Sequence, residues 1–240
     1  MTSAPPAADP GAFVQDRPNN LRNAVPWHPY AQLIRELPAA IETLVSDLHL
    51  GPGSRVLDYG CAELPYRHLF PDDVEVVGAD LPGNPHASVL IRPDGTLPVE
   101  DGSFDAILST QVLEHARDPR LYVAECFRVL RPGGRLLLTT HGVFVYHPDP
   151  VDYWRWTCAG LRCEVELAGF EVARFRGIVG LLATGLQLVH DGLYTRFPRW
   201  LRPLMTYCLQ ALMTAAERWD TTDRELNAMV YGLVALKPAD

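Results

Sequence analysis

Val56-Leu57-Asp58-Tyr59-Gly60-Cys61-Ala62-Glu63-Leu64-Pro65-Tyr66-Arg67 is the stretch that decides the fold. A short apolar run ends on an acid and is followed at once by glycine and small residues, the pattern of a buried strand that turns sharply at its carboxyl end. Residues 74–79 repeat the pattern and end on Asp80, 22 positions beyond Asp58. Further apolar runs at 88–91, 104–109, 135–140, 170–175 and 230–236 bring the strands to seven. Between them lie helical patterns at 117–130, closed by Arg131-Pro132-Gly133-Gly134, and at 157–168, stopped by Gly169. A helical stretch is also expected between the first two strands. Before the first, Leu33, Ile34, Leu37, Ile41, Leu44, Val45 and Leu48 recur at spacings of three and four, with Pro38 predicting a kink or a break. This alternation predicts an α/β fold, with a doubly wound, mostly parallel seven-stranded sheet covered on both faces.

The rhythm changes near the end. Residues 178–189 and 200–219, the latter broken by Pro203, are helical in pattern and precede the last strand. The expected organisation is therefore a flexible arm over 1–25 and one domain over 26–240, with 177–227 a helical insertion that caps the site or forms a dimer face. A chain of 240 residues with 48% hydrophobic and 21% charged residues is ordinary for a globular protein. Twenty-one basic residues against 29 acidic ones leave a net charge of −8, which argues against a nucleic-acid binder that neutralises phosphates. No apolar run reaches the roughly 18–20 residues of a membrane span. The first residues, with Pro5, Pro6, Asp9 and Pro10, lack a secretory signal's basic and apolar regions, so a cytoplasmic location is expected. Five scattered cysteines suggest free thiols, and none has zinc-site spacing.

Open parallel sheets bind ligands outside the carboxyl ends of their strands. Here those ends carry Asp58 and Gly60, then Asp80, then Asp94-Gly95, then Ser109-Thr110-Gln111. Acids on successive tips suit a nucleoside bearing a cation, with a carboxylate at the ribose. They do not suit a dinucleotide: the Gly-x-Gly-x-x-Gly turn is absent, and Glu63 would stand beside the phosphates.

Val56-Leu57-Asp58-Tyr59-Gly60-Cys61, Val77-Gly78-Ala79-Asp80-Leu81, the run from Asp94 to Asp105, Ser109-Thr110-Gln111-Val112-Leu113-Glu114-His115 and Arg128-Val129-Leu130-Arg131-Pro132-Gly133-Gly134-Arg135-Leu136 together resemble the class I S-adenosylmethionine-dependent methyltransferases. The resemblance covers about residues 50–176 and implies that family's Rossmann-like fold and S-adenosyl-L-methionine as cofactor. It implies that Asp58, with Gly60, holds the amino end of the cofactor and that Asp80, with Leu81 beside it, takes the ribose hydroxyls. Asp94 and Gly95 would meet the adenine, and Gln111 would line the pocket near the sulfonium. The first loop departs from the family: Ala62 and Leu64 stand where glycine is usual, and the loop ends in Pro65-Tyr66-Arg67, similar to one subgroup. Arg67 either pairs the methionine carboxylate or is a surface cation.

An acceptor with a proton to lose needs a base, and histidine suits neutral pH. His141 follows the fifth strand, and His147 lies in the segment 146–157, rich in aromatic and polar groups. This segment is either a proline-stiffened loop covering the sheet edge or an acceptor pocket. In the second case His141 or His147 is the base, Arg155 orients an anionic substrate, and Tyr146, Asp152 and Tyr153 line the site. His115, in the Glu-His run, is read as supporting the fold. The expected activity is methyl transfer to an oxygen or nitrogen of a small molecule, with specialised-metabolite biosynthesis as the suggested setting and a homodimer joined through the C-terminal helices as the candidate assembly. The alternative is a non-catalytic scaffold of the same fold that binds a partner through those helices. A membrane-surface role for residues 200–219 is disfavoured by their few cations, Arg199, Arg202 and Arg218.

Overall fold

A computed structural model describes residues 25–148, 151–219 and 224–239. The arm expected over 1–25 lies almost wholly outside the described residues. Among those described, seven strands form one sheet in the order β3-β2-β1-β4-β5-β7-β6. The strands are β1 (Arg55–Tyr59), β2 (Glu75–Asp80), β3 (Val89–Leu90), β4 (Phe104–Thr110), β5 (Leu130–His141), β6 (Glu171–Gly180) and β7 (Ala228–Leu236). The first five run parallel, and β7 is antiparallel to both β5 and β6. The expected doubly wound, mostly parallel sheet is thus present, with an antiparallel hairpin closing one side.

Five helices cover it: α1 (Ala31–Val45), α2 (Pro119–Val129), α3 (Cys158–Leu167), α4 (Leu181–Tyr194) and α5 (Arg202–Trp219). One core layer joins Val123, Cys126, Leu161 and Val165 of α2 and α3 to the sheet. The other joins Ile41 and Leu44 of α1 and Met213 of α5 to its opposite face. At Gly232 of β7 an added Cβ would stand 3.0 Å from Leu44 Cδ1, so this glycine lets α1 lie close on the sheet. Asp118 caps α2 by accepting from Leu121 N at 3.1 Å with Pro119 next in line, and Thr157 caps α3 by accepting from Gly160 N at 3.0 Å. Lys237 Nζ donates to the carbonyls of Phe127 and Leu130 at 2.8 and 2.7 Å, which places the chain's one lysine at the negative end of α2.

Four expectations change. Pro38 lies inside α1, which continues through it as one helix. The helical stretch between β1 and β2 is a single 3-10 turn, Arg67–Leu69, because Pro65 and Pro71 bound a connection too short for more. The sixth strand runs past residue 175 to Gly180, taking Ile178 and Val179 from the expected helix. Its pairing with β7 reaches Gly180 opposite Ala228, and the sheet's hydrogen bonds claim those residues. Pro203 falls in the first turn of α5, where it breaks nothing.

Candidate active site

Strand order reverses between β1 and β4, so the crevice opens where the chain leaves those two strands. The two exits touch. Gly60 has φ +82°, and a Cβ added there would lie 2.4 Å from Val112 Cγ2, so only glycine fits. Gln111, φ +56°, turns the exit of β4; its Nε2 donates to Thr139 Oγ1 at 3.0 Å, while its buried Oε1 has no hydrogen-bond partner. That oxygen is closed off from solvent at the exit of β4, where an unmet polar atom is costly. Ala62 and Leu64 adopt φ +44° and +54°. The first loop therefore keeps a left-handed path at both positions despite lacking glycine there, at a cost of roughly 1–2 kcal/mol per residue.

Asp58 and Asp80 stand at the tips of the adjacent strands β1 and β2. Asp58 is buried, and burial together with the negative charge of Asp80 pushes its carboxyl up to about 7. Among the described residues no hydrogen-bond donor or cationic side chain meets the Asp58 carboxylate. Asp80 binds the first loop: its Oδ2 accepts from Ala62 N at 2.9 Å and from Asn84 Nδ2 at 2.7 Å, and its Oδ1 accepts from Leu81 N at 2.8 Å. Asn84 also donates to the Ala62 carbonyl at 2.8 Å, making it the clasp of this loop. Sequence reasoning missed Asn84; its position four residues after Asp80 was the available signal. Cys61, beside both acids, has its thiol pushed up to about 12 by burial, then by the charges of Asp80 and Asp58.

The remaining cofactor candidates sit apart from this pair. Asp94 is on an exposed turn, where its Oδ1 accepts from Thr96 N at 3.0 Å and Thr96 Oγ1 at 2.7 Å; these bonds hold its carboxyl below the usual range. Gly95, φ +88°, lies nearer the core, and its carbonyl accepts from Tyr59 OH at 2.9 Å. Arg67 Nη1 donates to the carbonyls of Phe70 and Pro71 at 2.8 and 3.4 Å, so part of its guanidinium closes its own turn.

Past β5 the chain builds a second cluster. His141 is buried, stacked on Phe144 with ring centroids 4.2 Å apart, and its Nδ1 lies 3.2 Å from Glu114 Oε1. Glu114 Oε2 accepts from Thr140 Oγ1 at 2.8 Å, and the Glu114 carbonyl accepts from Tyr153 N and Trp154 N. Burial pushes the Glu114 carboxyl up to about 7 and the His141 imidazole well below its usual value. Glu114, absent from the expected site residues, thus joins the exit of β4 to segment 151–156. His147 is exposed, edge-on to His141 with ring centroids 5.9 Å apart, and tilted against His115 at 6.0 Å. His115 Nδ1 lies 2.7 Å from the Val151 carbonyl, in keeping with a supporting role.

Arg155 fastens this segment. Its Nε donates to Phe144 O at 3.0 Å, Nη1 donates to Asp152 Oδ1 and to Trp154 O, and Nη2 donates to Asp152 Oδ2 and Val145 O. A guanidinium has five N–H donors, and all five are engaged within the loop, leaving none for an anionic substrate in this arrangement. Asp152 also accepts from His147 N at 2.7 Å, and its side chain is 1% exposed, so it acts as the loop's internal anchor. Tyr146 and Tyr153 are exposed. Among the described residues no group of three or more His, Cys, Asp or Glu side chains is placed to hold a metal ion, and no helix is long and apolar enough to cross a membrane.

Comparison with known proteins agrees with this geometry. The methyltransferase domain family matches residues 57–138, from β1 into β5. A protein of Mycolicibacterium smegmatis named a probable S-adenosylmethionine-dependent methyltransferase is 34% identical over 146 residues, covering 54% of this chain and 57% of that one. The ubiquinone biosynthesis O-methyltransferase of Xanthomonas oryzae is 33% identical over 103 residues, covering 37% of this chain and 43% of that one. The chain therefore spans about half the length of these curated relatives. Among solved structures, the [4+2]-cyclase SpnF superposes with a TM-score of 0.54 at 20% identity, over 84% of this chain and 81% of that one, a likeness of fold alone.

Proposed function

We propose that this chain, whose residues 57–138 match the methyltransferase domain family, is a class I methyltransferase that transfers a methyl group from S-adenosyl-L-methionine to an oxygen or nitrogen of a small molecule. The observation that carries the reading is the acid pair Asp58 and Asp80, set side by side in the crevice with no cationic partner among the described residues. Burying the Asp58 carboxylate beside a second acid is unfavourable unless a ligand brings positive charge. The exits of β1 and β4 add a close backbone turn, where Gly60 packs against Val112, and a buried acceptor without a partner, Gln111 Oε1. The name of the Mycolicibacterium relative supports the same cofactor.

In this reading Asp58 holds the amino end and Asp80, next to Leu81, takes the ribose hydroxyls. Gly95 borders the adenine with Asp94 at its outer edge, and Arg67 reaches the carboxylate with the donors its own turn leaves unused. When bound, the cofactor supplies an electrophilic methyl on a sulfonium. The chain's remaining task is to hold a nucleophile in line, which can contribute roughly 7–11 kcal/mol. His147 on the open lip is the group that takes a proton from an acceptor hydroxyl. Buried His141 and Glu114 fix the floor beneath it, and Tyr146 and Tyr153 offer ring faces to an acceptor. Arg155 and Asp152 act through the loop they hold together.

Titration calorimetry with S-adenosylhomocysteine, followed by a panel of acceptors with methyl-labelled cofactor, tests this. Micromolar binding is expected, weakened more by Asp80→Ala than by His147→Ala. No heat at high micromolar concentration, or the reverse order, overturns the assignment.

A further inference from the structure

Helices α4 and α5 form an antiparallel hairpin whose inner face combines a polar network with Ala183, Met213 and Ala216 of the core, and which carries a second apolar face outside. Gly180 N meets Glu217 Oε1 at 2.7 Å, Gln187 meets Gln210 at 3.3 Å, and His190 Nε2 lies 3.0 Å from Thr206 Oγ1. These contacts, with Thr184, face inward and are buried; Gln210 continues the network to Gln32 N of α1 at 2.9 Å and to the Pro29 carbonyl at 2.6 Å. The outer surface is the opposite. Leu182, Leu188 and Val189 of α4 and Leu204, Tyr207 and Leu212 of α5 are exposed, and Arg218 is the one charged residue among the exposed positions of the two helices. A helix on a protein surface normally turns its apolar face inward. Here the inner face is already held by hydrogen bonds and by Ala183, Met213 and Ala216 in the core, and the outer apolar face is left to something else.

The charges at the ends of the hairpin indicate what. Its acids point inward: Asp191 Oδ1 accepts from Gln187 Nε2 at 2.9 Å, and Glu217 pairs with Arg224 at 3.0 Å. Its turn carries Arg196 and Arg199, both exposed, and Arg202 over the Tyr194 ring. Trp200 and Trp219, 78% and 81% exposed, flank the apolar stripe. A second copy of the chain packed through this face would meet the same patch, because a two-fold interface is self-complementary. Such an interface would offer Arg196 and Arg199 no exposed acid from either helix or the turn between them. An anionic bilayer surface supplies the missing negative charge, accepts leucine side chains below its headgroups and seats tryptophan at the boundary.

We propose that the α4–α5 hairpin docks the protein in the plane of an anionic lipid surface, with the leucines entering the acyl boundary and Arg196 and Arg199 meeting the headgroups. Of the cations that looked too few along the chain, Arg199 and Arg202 lie at the hairpin turn, where Arg196 joins them, and the inward-facing acids do not oppose them.

Flotation of the full chain with vesicles of phosphatidylcholine, with and without phosphatidylglycerol, tests the proposal. Flotation with the anionic vesicles and little with the neutral ones is expected, with loss at high salt. Arg196→Gln combined with Arg199→Gln, both exposed, should cut partitioning about tenfold or more, since each cation near such a surface contributes roughly 1 kcal/mol. Leu182→Glu with Val189→Glu should abolish it while the circular dichroism spectrum stays unchanged. Absence of flotation, equal flotation with neutral vesicles, or a solution dimer that the Leu182→Glu and Val189→Glu pair dissociates overturns the proposal, the last in favour of a second copy as occupant.

Discussion

Nδ1 of His141 and Oε1 of Glu114 face each other at 3.2 Å behind the tip of β5, both closed to solvent and neither with another hydrogen-bond partner. Burial keeps both groups neutral near pH 6, with the proton on Glu114. In the unfolded chain between pH 4.5 and 6.5, glutamate is ionised and histidine protonated, so that pair also holds one titrating proton. Equal proton counts give no slope of stability with pH. Glu114→Gln removes the balance. The folded variant then keeps His141 neutral while its unfolded state takes up a proton below pH 6.5. Its stability is intact above that pH and falls on acidification, by at most about 1.4 kcal/mol per pH unit. Urea unfolding of both proteins at pH 5 and pH 6.5 checks this. A variant whose midpoint shifts with pH no more than the wild type removes the coupling.

Asp58 gives the opposite slope. Its carboxyl is raised from an ordinary value of 3.8 to about 7, first by burial and then by Asp80. The folded state therefore holds a proton that the unfolded state has released, and stability declines as pH rises from 3.8 through 7. A cationic ligand wants the ionised form. S-adenosylhomocysteine should bind about eightfold more tightly at pH 7.5 than at pH 6, following the ionised fraction of a group with that pKa. Asp58→Asn should weaken binding, flatten its pH dependence and raise the urea midpoint at pH 8. Calorimetry across the range, with unfolding at pH 8, reads all three, and affinity independent of pH in the wild type would remove Asp58 from the role.

The first loop is strained where its sequence departs from glycine. Ala62, φ +44°, still donates its N–H to Asp80, and that bond does not need the methyl group. Ala62→Gly should leave stability unchanged or raise it by about 1 kcal/mol, as the left-handed penalty is relieved and chain entropy offsets part of the gain. Gly60→Ala should lower it by about 2 kcal/mol or more, because the new Cβ meets Val112 at 2.4 Å in addition to the backbone cost. Chemical denaturation of the two single variants separates them. Equal effects would mean that the loop relaxes freely.

Much of the fold was legible because strand tips announce themselves. Asp58-Tyr59-Gly60 and Ala79-Asp80 end apolar runs on acids, and Asp118-Pro119 and Thr157 cap their helices as the residue types require. The antiparallel placement of β7 and the full length of β6 were not legible. An unbroken apolar run such as 177–183 has no period to divide strand from helix, and only pairing with residues fifty positions later decides it. The same limit hid Glu114. A carboxylate in a Leu-Glu-His run gives no sign that it is buried against His141 of the next strand, since that contact spans 26 residues of chain between the exits of β4 and β5. The hairpin's outer apolar face also escaped notice, because apolar residues surround both helices and the contact that turns Gln210 inward, to Gln32 N of α1, joins distant parts of the chain.

Arg155 was read as a hand for the substrate, and its bonds make it the fastener of segment 143–156. Arg155→Lys keeps the charge but replaces a planar fork of five donors with a point charge bearing three. A lysine cannot bridge both oxygens of Asp152 and also reach the carbonyls of Phe144 and Val145, so the nearly closed-off Asp152 carboxylate loses part of its compensation. The expected cost is on the order of 2 kcal/mol, below the roughly 3–5 kcal/mol of deleting one partner of a buried pair outright. The effect should be local. Hydrogen exchange should quicken at the amides of Tyr153, Trp154 and Trp156, which donate to Glu114 and His141, while those of β1 and β4 stay protected. Binding of S-adenosylhomocysteine, seated at the tips of β1 and β2, should be unchanged. If the variant instead keeps the segment's protection and loses turnover with an anionic acceptor alone, the guanidinium serves the substrate after all.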